Sequence, residues 1–402
     1  MEPKIRFKGF EGEWKEEPLK SFFTKVTKKN TKMQYSAVLT NSAEHGIIDQ
    51  RDYFDFDVAN SNNIGGYYIV EPNDFVYNPR VSVTAPVGPI NRNRLGYAGV
   101  MSPLYLVFKI DGINKDYLCN YYKTNKWHQF MRLSGNCGAR FDRLSISDEQ
   151  FVTMPIPHPS NLKEQQVICK HLDTLDSQIS ASTSRLASLK QMKAASLQAM
   201  FPQEGETVPK IRFKGFEGEW KKVKFSELYE RSSIKNDLSF GTDKIISVAN
   251  MYYINNEKQV DDDYLRSYNV MRLGDIAFEG HSSKEFAYGR LVENTIGDGI
   301  VSHVFVVMKP KSKKYDLNFW KYYINNENIM GNILCRCTKA STMMNDIVIN
   351  DFLKESILVP SYEEQVEIGK ILTSLDHQIT LQTQRLEKLK QMKAACLDKM
   401  FV

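Results

Sequence analysis

Two long segments of the chain carry apolar residues at alternating spacings of three and four, which is the pattern of a coiled-coil helix. The first segment runs from Glu164 to Met200 without proline or glycine, and the second repeats its spacing 200 residues later. A helix of this length spans roughly 55 Å at 1.5 Å per residue. The predicted core positions are Ile168, Leu172, Leu175, Ile179, Leu186, Leu189 and Met200 in the first segment, and Ile368, Leu372, Leu375, Ile379, Leu386, Leu389 and Met400 in the second.

A different pattern fills the rest of the chain. Aromatic and β-branched residues alternate between glycine, proline and asparagine turn residues at 67–79, 97–110 and 301–310, which predicts strands. The segments 116–133 and 317–334 are rich in aromatic residues and resemble packed helices. The sequence therefore predicts a mixed α/β domain in each half of the chain.

The chain also contains an internal repeat. The sequence PKIRFKGFEGEWK at 3–15 returns letter for letter at 209–221, and residues 164–201 match residues 364–401 at 22 of 38 positions. The stretches between these blocks show little comparable identity. Duplication followed by sequence divergence explains the origin of the repeat. It does not explain why the blocks stayed alike while the stretches between them diverged. Both observations are explained if the repeated parts bind one kind of partner and the variable parts recognise different targets.

These patterns predict an α/β fold class in which two mixed α/β domains are joined by two long helices with an internal pseudo-two-fold repeat. The most economical partner for either helix is the other one, and the coiled coil is antiparallel if the two domains lie at its opposite ends. The predicted organisation is a first variable domain at 1–160, a first helix at 161–201, a linker at 202–210, a second variable domain at 211–361 and a second helix at 362–402.

Composition adds little to this picture. The chain has 402 residues and a net charge of +5, which is only mildly basic and does not by itself identify a nucleic-acid binder. Its six cysteines show no C-x-x-C spacing, its first residues are charged rather than apolar, and its apolar runs are far shorter than the roughly 20 residues of a membrane helix. We expect a cytoplasmic protein without a membrane segment.

Motifs of catalysis are missing from the sequence. It has no phosphate-binding loop, no dinucleotide-binding glycine motif after a strand, and no histidine or cysteine spacing typical of a metal site. We therefore predict no catalytic residues, no metal site and no cofactor bound by this chain.

Basic, amide and hydroxyl residues in turn-like sequence are candidates for DNA contact. Arginine and asparagine side chains read base edges, whereas lysine, serine and threonine commonly bind phosphates. The same residue types are equally typical of solvated loops. The candidates are Asn78, Arg80, Arg92, Asn93, Arg94, Ser134, Asn136 and Arg140 in the first half, and Ser283, Lys284, Arg290, Arg336, Lys339, Ser341 and Thr342 in the second.

The duplicated motifs resemble one family. The block PKIRFKGFEGEWK, the strand-like DFVYNPR, the P-x-P-x(5)-EQ segment and the long LDTLDSQI…RLxxLKQMKAA helix are similar to the specificity (S) subunit of type I restriction-modification systems. The resemblance covers essentially the whole chain.

The resemblance implies a non-catalytic, sequence-specific DNA-recognition subunit. Each variable region would be a target recognition domain that reads one part of a bipartite site in double-stranded DNA. The antiparallel coiled coil would set the unread spacer and bind two methyltransferase (M) subunits, and restriction (R) subunits would complete the complex. S-adenosylmethionine, ATP and magnesium are expected on those partners. Two alternatives stay open: a coiled-coil scaffold that joins two protein-binding domains, and a self-contained enzyme, which the missing motifs disfavour.

Overall fold

The computed structural model describes residues 1–52, 61–136, 142–254, 261–312, 314–341 and 344–402. The chain forms two compact units, which we name by their residues. Unit 1 comprises Met1–Ser182 and Arg385–Val402, and unit 2 comprises Thr183–Gln384.

The strands of the two units are short and the two longest helices have 38 residues each. The strands of unit 1 are β1 (Lys15–Pro18), β2 (Phe23–Lys25), β3 (Leu39–Ser42), β4 (Gly46–Asp49), β5 (Tyr68–Val70), β6 (Phe75–Tyr77), β7 (Ile90–Arg92), β8 (Gly99–Met101), β9 (Leu106–Ile110) and β10 (Pro155–His158). Those of unit 2 are β11 (Lys221–Lys224), β12 (Tyr229–Arg231), β13 (Ile246–Ser247), β14 (Tyr252–Tyr253), β15 (Asn269–Met271), β16 (Ile276–Glu279), β17 (Arg290–Glu293), β18 (Gly299–Val301), β19 (Val306–Pro310), β20 (Thr338–Lys339), β21 (Asp346–Ile347) and β22 (Ser356–Val359). The α-helices are α1 (Lys115–Tyr122), α2 (His128–Ser134), α3 (Asp148–Phe151), α4 (Leu162–Ala199), α5 (Phe225–Leu228), α6 (Asp262–Arg266), α7 (Leu317–Tyr323), α8 (Glu327–Cys337), α9 (Ile349–Phe352) and α10 (Tyr362–Lys399). Short 3-10 helices lie at Leu19–Ser21, Gln50–Asp52, Ser61–Gly66 and Thr242–Lys244.

A four-stranded antiparallel sheet, in the order β2-β9-β6-β7, forms the centre of unit 1. Successive side chains of a strand point to opposite faces. Phe75 and Tyr77 pack into one apolar cluster with Phe108, whereas Val76 packs into another with Val107. Both faces of the sheet are therefore covered, and this is why the inner strand β6 is apolar at every position.

Unit 2 repeats this sheet in the order β12-β19-β16-β17. Ile276 and Phe278 join one cluster, and Ala277 and Val307 join another. Helices and antiparallel strands thus combine in each half, and the predicted mixed α/β domains are confirmed.

The long helices pack against each other within each unit. In unit 1 the end of α10 lies antiparallel to the start of α4, because Lys393 pairs with Asp176 and Cys396 Sγ lies 3.6 Å from His171 Nε2. In unit 2 the end of α4 meets the start of α10, with Lys193 Nζ 2.6 Å from Asp376 Oδ1. The predicted pair of antiparallel helices is confirmed.

The predicted helix-core residues divide by burial. Most are buried, namely Ile168, Leu172, Leu175, Leu189, Met200, Ile368, Leu372, Leu375, Leu386, Leu389 and Met400. Ile179, Leu186 and Ile379 are half-buried.

Each copy of the repeated thirteen-residue block is fastened to a long helix by an arginine. The Nε and Nη2 atoms of Arg6 donate to Glu164 at 2.8 and 2.9 Å, and those of Arg212 donate to Glu364 at 2.7 and 2.8 Å. Glu164 is 2% and Glu364 1% exposed. A buried carboxylate needs such a partner. This explains why the repeated block occurs together with Glu164 in the first half and with Glu364 in the second.

The chain enters and leaves each α/β domain on neighbouring strands. In unit 1, β1 pairs antiparallel with β10, and in unit 2, β11 pairs in the same way with β22. The two ends of each variable domain therefore lie side by side.

Residues 202–210 form an ordered turn between the end of α4 and the second repeated block. The Gln203 side chain donates to the Gln198 carbonyl at 2.7 Å, and the backbone amide of Trp220 donates to the Thr207 carbonyl at 3.0 Å. Pro202 is buried, so this turn is packed against unit 2.

Candidate nucleic-acid interface

A cleft of about 560 Å³ with a mixed polar and apolar lining opens in unit 1 at the end of the β6–β7 pair. Its lining includes side chains from β3, from the segment after β6, from the turn before β9 and from the segment before α3. These side chains include Thr40, Ser42, Asn78, Arg80, Tyr105 and Arg143.

Asn78 holds the backbone of this cleft, and Arg80 projects from it. The Asn78 amide donates to the Asn41 carbonyl at 2.9 Å, and its Oδ1 accepts the Arg80 backbone N–H at 3.0 Å. Both ends of Asn78 are thus engaged. The Arg80 side chain is 72% exposed, and its Nε lies 4.0 Å from Asp142 Oδ2. A guanidinium so weakly held is free to bind a base or a phosphate.

Glycine is required where the neighbouring strand approaches Asn78. Gly88 has a φ of +82°, and a Cβ atom at this position would lie 2.1 Å from the Asn78 carbonyl oxygen. A side chain there would displace the backbone that presents Arg80.

The segment before α3 connects the cleft with the end of α2, where further candidates lie outside the cleft lining. The Leu144 amide donates to the Pro79 carbonyl at 2.9 Å, and Asn136 exchanges two backbone hydrogen bonds with Ser145. Asn136 is exposed and Ser134 is half-buried at the end of α2. The structure therefore places Asn136 near the strand-like path that carries Arg143. Arg140 lies outside the described residues.

Arg92, Asn93 and Arg94 do not join this cleft. Arg92 and Arg94 donate to the same oxygen of Asp116 at 2.6 and 2.7 Å, at the start of α1. The Arg92 side chain is only 11% exposed, whereas that of Arg94 is 52% exposed. Through Asp116, Arg92 and Arg94 connect β7 and the segment after it to α1. This structural role accounts for both arginines without any contact to DNA.

Asn93 has a structural position that the sequence reasoning missed. It is 1% exposed, and its amide donates to the carbonyls of Val70, Glu71 and Tyr97. The adjoining turn contains Asp74, whose pKa is raised to about 6 by burial. The Asn93 side chain is buried and its donors are already used, so its placement disfavours the prediction that it reads DNA.

Unit 2 places a second group of candidates at the equivalent end of β16 and β17. Ser283 Oγ accepts the Phe286 backbone N–H at 3.0 Å and so closes a turn, while Lys284 is exposed on it. Arg290 donates from Nη2 to the Ala249 carbonyl at 2.7 Å and lies over the Phe286 ring. Arg290 is therefore largely engaged in holding this loop.

The remaining candidates lie at the end of α8 and just after it. Arg336 makes two hydrogen bonds to Glu355, at 3.0 and 2.7 Å, and this pairing lowers the pKa of the glutamate. Lys339 is exposed on β20, opposite Asp346, and Ser341 is exposed beyond it. Thr342 lies outside the described residues.

Two residues of interest were not selected from the sequence. Arg143 lines the cleft of unit 1, and His281 lies in unit 2 next to Glu279, with its Nδ1 2.5 Å from Glu279 Oε1. Both lie close in sequence to selected candidates, Arg143 to Arg140 and His281 to Ser283. Only the fold shows which member of each stretch faces outward.

No group of three or more histidine, cysteine, aspartate or glutamate side chains in the described ranges is placed to hold a metal ion. Across the same ranges, no helix has the length and apolar content to cross a membrane.

One family model matches both halves of the chain, and this match identifies the family. A model of the family described as the type I restriction modification DNA specificity domain matches residues 11–191 and 217–391. The chain belongs to this family. It is a DNA-recognition subunit of a type I restriction-modification system, and subunits of this family are not catalytic. The resemblance seen in the sequence is confirmed.

Solved structures agree on the fold of this specificity subunit. It is similar to the S subunit of a type I restriction-modification system from M. genitalium, with 12% identity, a TM-score of 0.54, and coverage of 100% of this chain and 99% of that one. The HsdS subunit from Thermoanaerobacter tengcongensis is similar at 14% identity, a TM-score of 0.51 and 98% coverage of both chains. A third similar chain comes from work on complex assembly and conformational transition of the type I R-M system, with 12% identity, a TM-score of 0.50, and coverage of 98% of this chain and 99% of that one. Among curated proteins, none matches this sequence.

Proposed function

We propose that the α/β domain of each unit reads one part of a bipartite site in double-stranded DNA. The observation that carries the proposal is the cleft of unit 1, where a rigid asparagine-held backbone presents the exposed guanidinium of Arg80. An arginine in this setting is suited to guanine O6 and N7 in the major groove. Arg143 and Asn136, at the same end of the domain, extend the polar surface that a groove would meet.

Partner subunits supply the chemistry in this proposal. The long helices bind two methyltransferase subunits, because they are the extended surfaces that occur twice in nearly the same sequence. Restriction subunits complete the complex. S-adenosylmethionine, ATP and magnesium bind to those partners rather than to this chain. The complex works in the cytoplasm, where the DNA it reads is found.

Binding to a library of duplexes tests the DNA-reading proposal. The chain, assembled with its methyltransferase subunits, should select two separated half-sites, and its affinity should fall steeply with salt because phosphate contacts release counterions. Arg80→Ala should relax the preference at one position of the first half-site by about tenfold, in line with the discrimination of a good arginine–guanine contact. The second half-site should not change.

A scaffold without DNA affinity would give the opposite result. Its complex would select no sequence from the library and would show no salt-dependent binding to any duplex. Lys4→Ala serves as the matched control for Arg80→Ala, because Lys4 is an exposed cation in the repeated block of the same unit. It should leave both half-site preferences intact.

A further inference from the structure

In each α/β domain, one side chain is held at a strand end by the same pattern of backbone hydrogen bonds. After β6, the Oδ1 of Asn78 accepts the backbone N–H of Arg80 at 3.0 Å. After β16, the Oε1 of Glu279 accepts the backbone N–H of His281 at 3.1 Å. In each domain a polar residue at the strand end thus fixes the residue two positions later.

The surrounding backbone matches as well. The carbonyl between the two residues accepts an amide from the following segment in both domains, Leu144 to Pro79 at 2.9 Å and Asn345 to Gly280 at 2.8 Å. A glycine with positive φ packs against the same strand end in both, at Gly88 and Gly289. Arg80 and His281 therefore occupy equivalent positions and carry different chemistry.

His281 is presented outward and held in a defined orientation. Its side chain is 61% exposed, whereas Glu279 behind it is 7% exposed. A carboxylate only accepts hydrogen bonds, so the imidazole Nδ1 is the donor in the 2.5 Å contact with Glu279 Oε1. The remaining ring nitrogen, Nε2, has no contact with this carboxylate and is available for a directional hydrogen bond.

Arg290 stabilises Glu279 and the loop and is not itself the exposed side chain. Its Nε lies 3.5 Å from the second carboxylate oxygen of Glu279, its Nη2 donates to the Ala249 carbonyl, and its guanidinium lies 4.9 Å from the Phe286 ring centroid. The side chain is 22% exposed. Arg290 thus balances the charge of Glu279 while His281 faces solvent.

We propose that His281 is a specificity-determining residue of the second recognition domain, which contacts a base edge through Nε2, and that Glu279 is its positioning residue. This inference rests on the proposed DNA-reading function. A base edge is favoured over a phosphate because Glu279 holds the ring in one orientation, and an oriented ring nitrogen distinguishes donor from acceptor base edges. The equivalent reader in the first domain is Arg80.

The duplex library tests this proposal with the full chain in its methyltransferase complex. His281→Ala should reduce the preference at one base position of the second half-site by about tenfold and leave the first half-site unchanged. Glu279→Gln keeps an oxygen for the His281 amide but removes the carboxylate that orients the ring. It should weaken the preference at the same position and at no other.

Two exposed residues of unit 2 serve as controls, Lys314 and Lys284. Lys314 follows the end of β19 that lies away from His281, because β19 and β16 are antiparallel, whereas Lys284 lies on the same loop as His281. Lys314→Ala should change nothing. Lys284→Ala should weaken binding to all sequences alike, as the loss of a phosphate contact does.

The outcomes separate this inference from the proposed function. If the wild-type complex selects two half-sites and His281→Ala keeps every base preference, His281 is not a reader and the inference is wrong. A uniform loss of affinity in His281→Ala would assign a phosphate contact and would also overturn it. If the wild-type complex selects no sequence at all, the proposed function itself fails.

Discussion

Buried carboxylates show how strongly single residues depend on their partners in this chain. Glu164 and Glu364 each receive two hydrogen bonds from an arginine. Glu293, on β17, receives one from the Tyr315 hydroxyl at 2.6 Å, and that hydroxyl also meets Tyr229 at 2.8 Å. Its second oxygen is buried without a hydrogen-bond partner among the described residues. Burial raises the pKa of Glu293 to about 8.

The raised pKa of Glu293 predicts a stability that declines with pH. An unfolded glutamate titrates near pH ~4.3, so between about pH 4.3 and 8 the folded state keeps a proton that the unfolded state has released. The free energy of unfolding therefore decreases as pH rises through this window. Glu293→Gln should remove the dependence, raising Tm at pH 8.5 by roughly 10 °C and changing it little at pH 4.

Thermal unfolding of both proteins across this pH range provides the measurement. Glu285→Gln is the control, because Glu285 is exposed in the same unit. Parallel Tm profiles for wild type and Glu293→Gln would show that the carboxyl is ionised in the folded state without penalty.

The arginine of each repeated block predicts a larger effect. Arg212→Ala leaves the carboxylate of Glu364, which is 1% exposed, without its ion-pair partner, and a buried charge in this state costs about 3–5 kcal/mol. The block should detach locally, which would also break the hydrogen bond from the amide of Ile211 to the Ala199 carbonyl at the end of α4. Hydrogen exchange of residues 209–221 should accelerate strongly. Lys210→Ala, which breaks only an exposed contact with Glu206, should cost about 0.5 kcal/mol or less and leave exchange unchanged.

At the scale of elements, the long helices keep some apolar side chains exposed. Met192 is 53% and Met392 44% exposed, and they occupy the same position in the two copies. Leu381 is 51% exposed, but its counterpart in the first copy is Ala181. Under the proposed function, two identical methyltransferase subunits need the same contact residues twice, so the methionines suit that interface better than the leucine does.

Charge at the two methionines should therefore weaken assembly. In the double variant Met192→Glu and Met392→Glu, burying a carboxylate in an apolar contact carries a desolvation cost, and co-purification with the methyltransferase subunits should fall at least tenfold. Circular dichroism and thermal unfolding of the variant chain should match wild type, because both positions are solvated. Leu381→Glu is the matched control and should assemble normally. Normal assembly of the double variant would move the interface to another face of the helices.

Elements also show what the sequence could and could not predict. Heptad spacing predicted both long helices, because their apolar positions are set by helical periodicity alone. Identity between the repeated blocks marked Arg6 and Arg212 as important but did not reveal their bonds to Glu164 and Glu364, which lie about 150 residues away along the chain. The sequence did not reveal that Asn93 closes a turn, because residue type does not distinguish an amide that closes a turn from one that faces DNA. His281 was missed for the same reason, since its orientation depends on Glu279 and on a segment some 60 residues later.

At the scale of the whole molecule, each α/β domain has both ends at one place. The register of β1 and β10 pairs Glu17 with Ile156 and Pro18 with Pro155, so a segment from 16 to 155 begins and ends on adjacent strands. The repeated block and the long helix lie outside that segment. The domain is therefore exchangeable in principle without changing either the arginine–glutamate pair or the helices.

Replacing residues 16–155 by the first domain of another specificity subunit should replace one half-site and preserve the other. The physical reason is that the groove-facing candidates of unit 1 lie within this segment, whereas those of unit 2 lie outside it. Methylation mapping on a genome that carries the hybrid with its partners would show the outcome. A simultaneous change of both half-sites would contradict independent reading by the two domains.

The side-by-side ends of the domains have a consequence for inheritance. Both copies start from the same thirteen amino acids and close on the same kind of strand pair. A gene rearrangement that moves the coding segment of one domain into the place of the other would keep the reading frame at the repeated block and restore the strand pair at the far end. A lineage would then acquire a new target sequence in one event. The protein would still fold and assemble, because the repeated block, the strand pair and the long helices are unchanged.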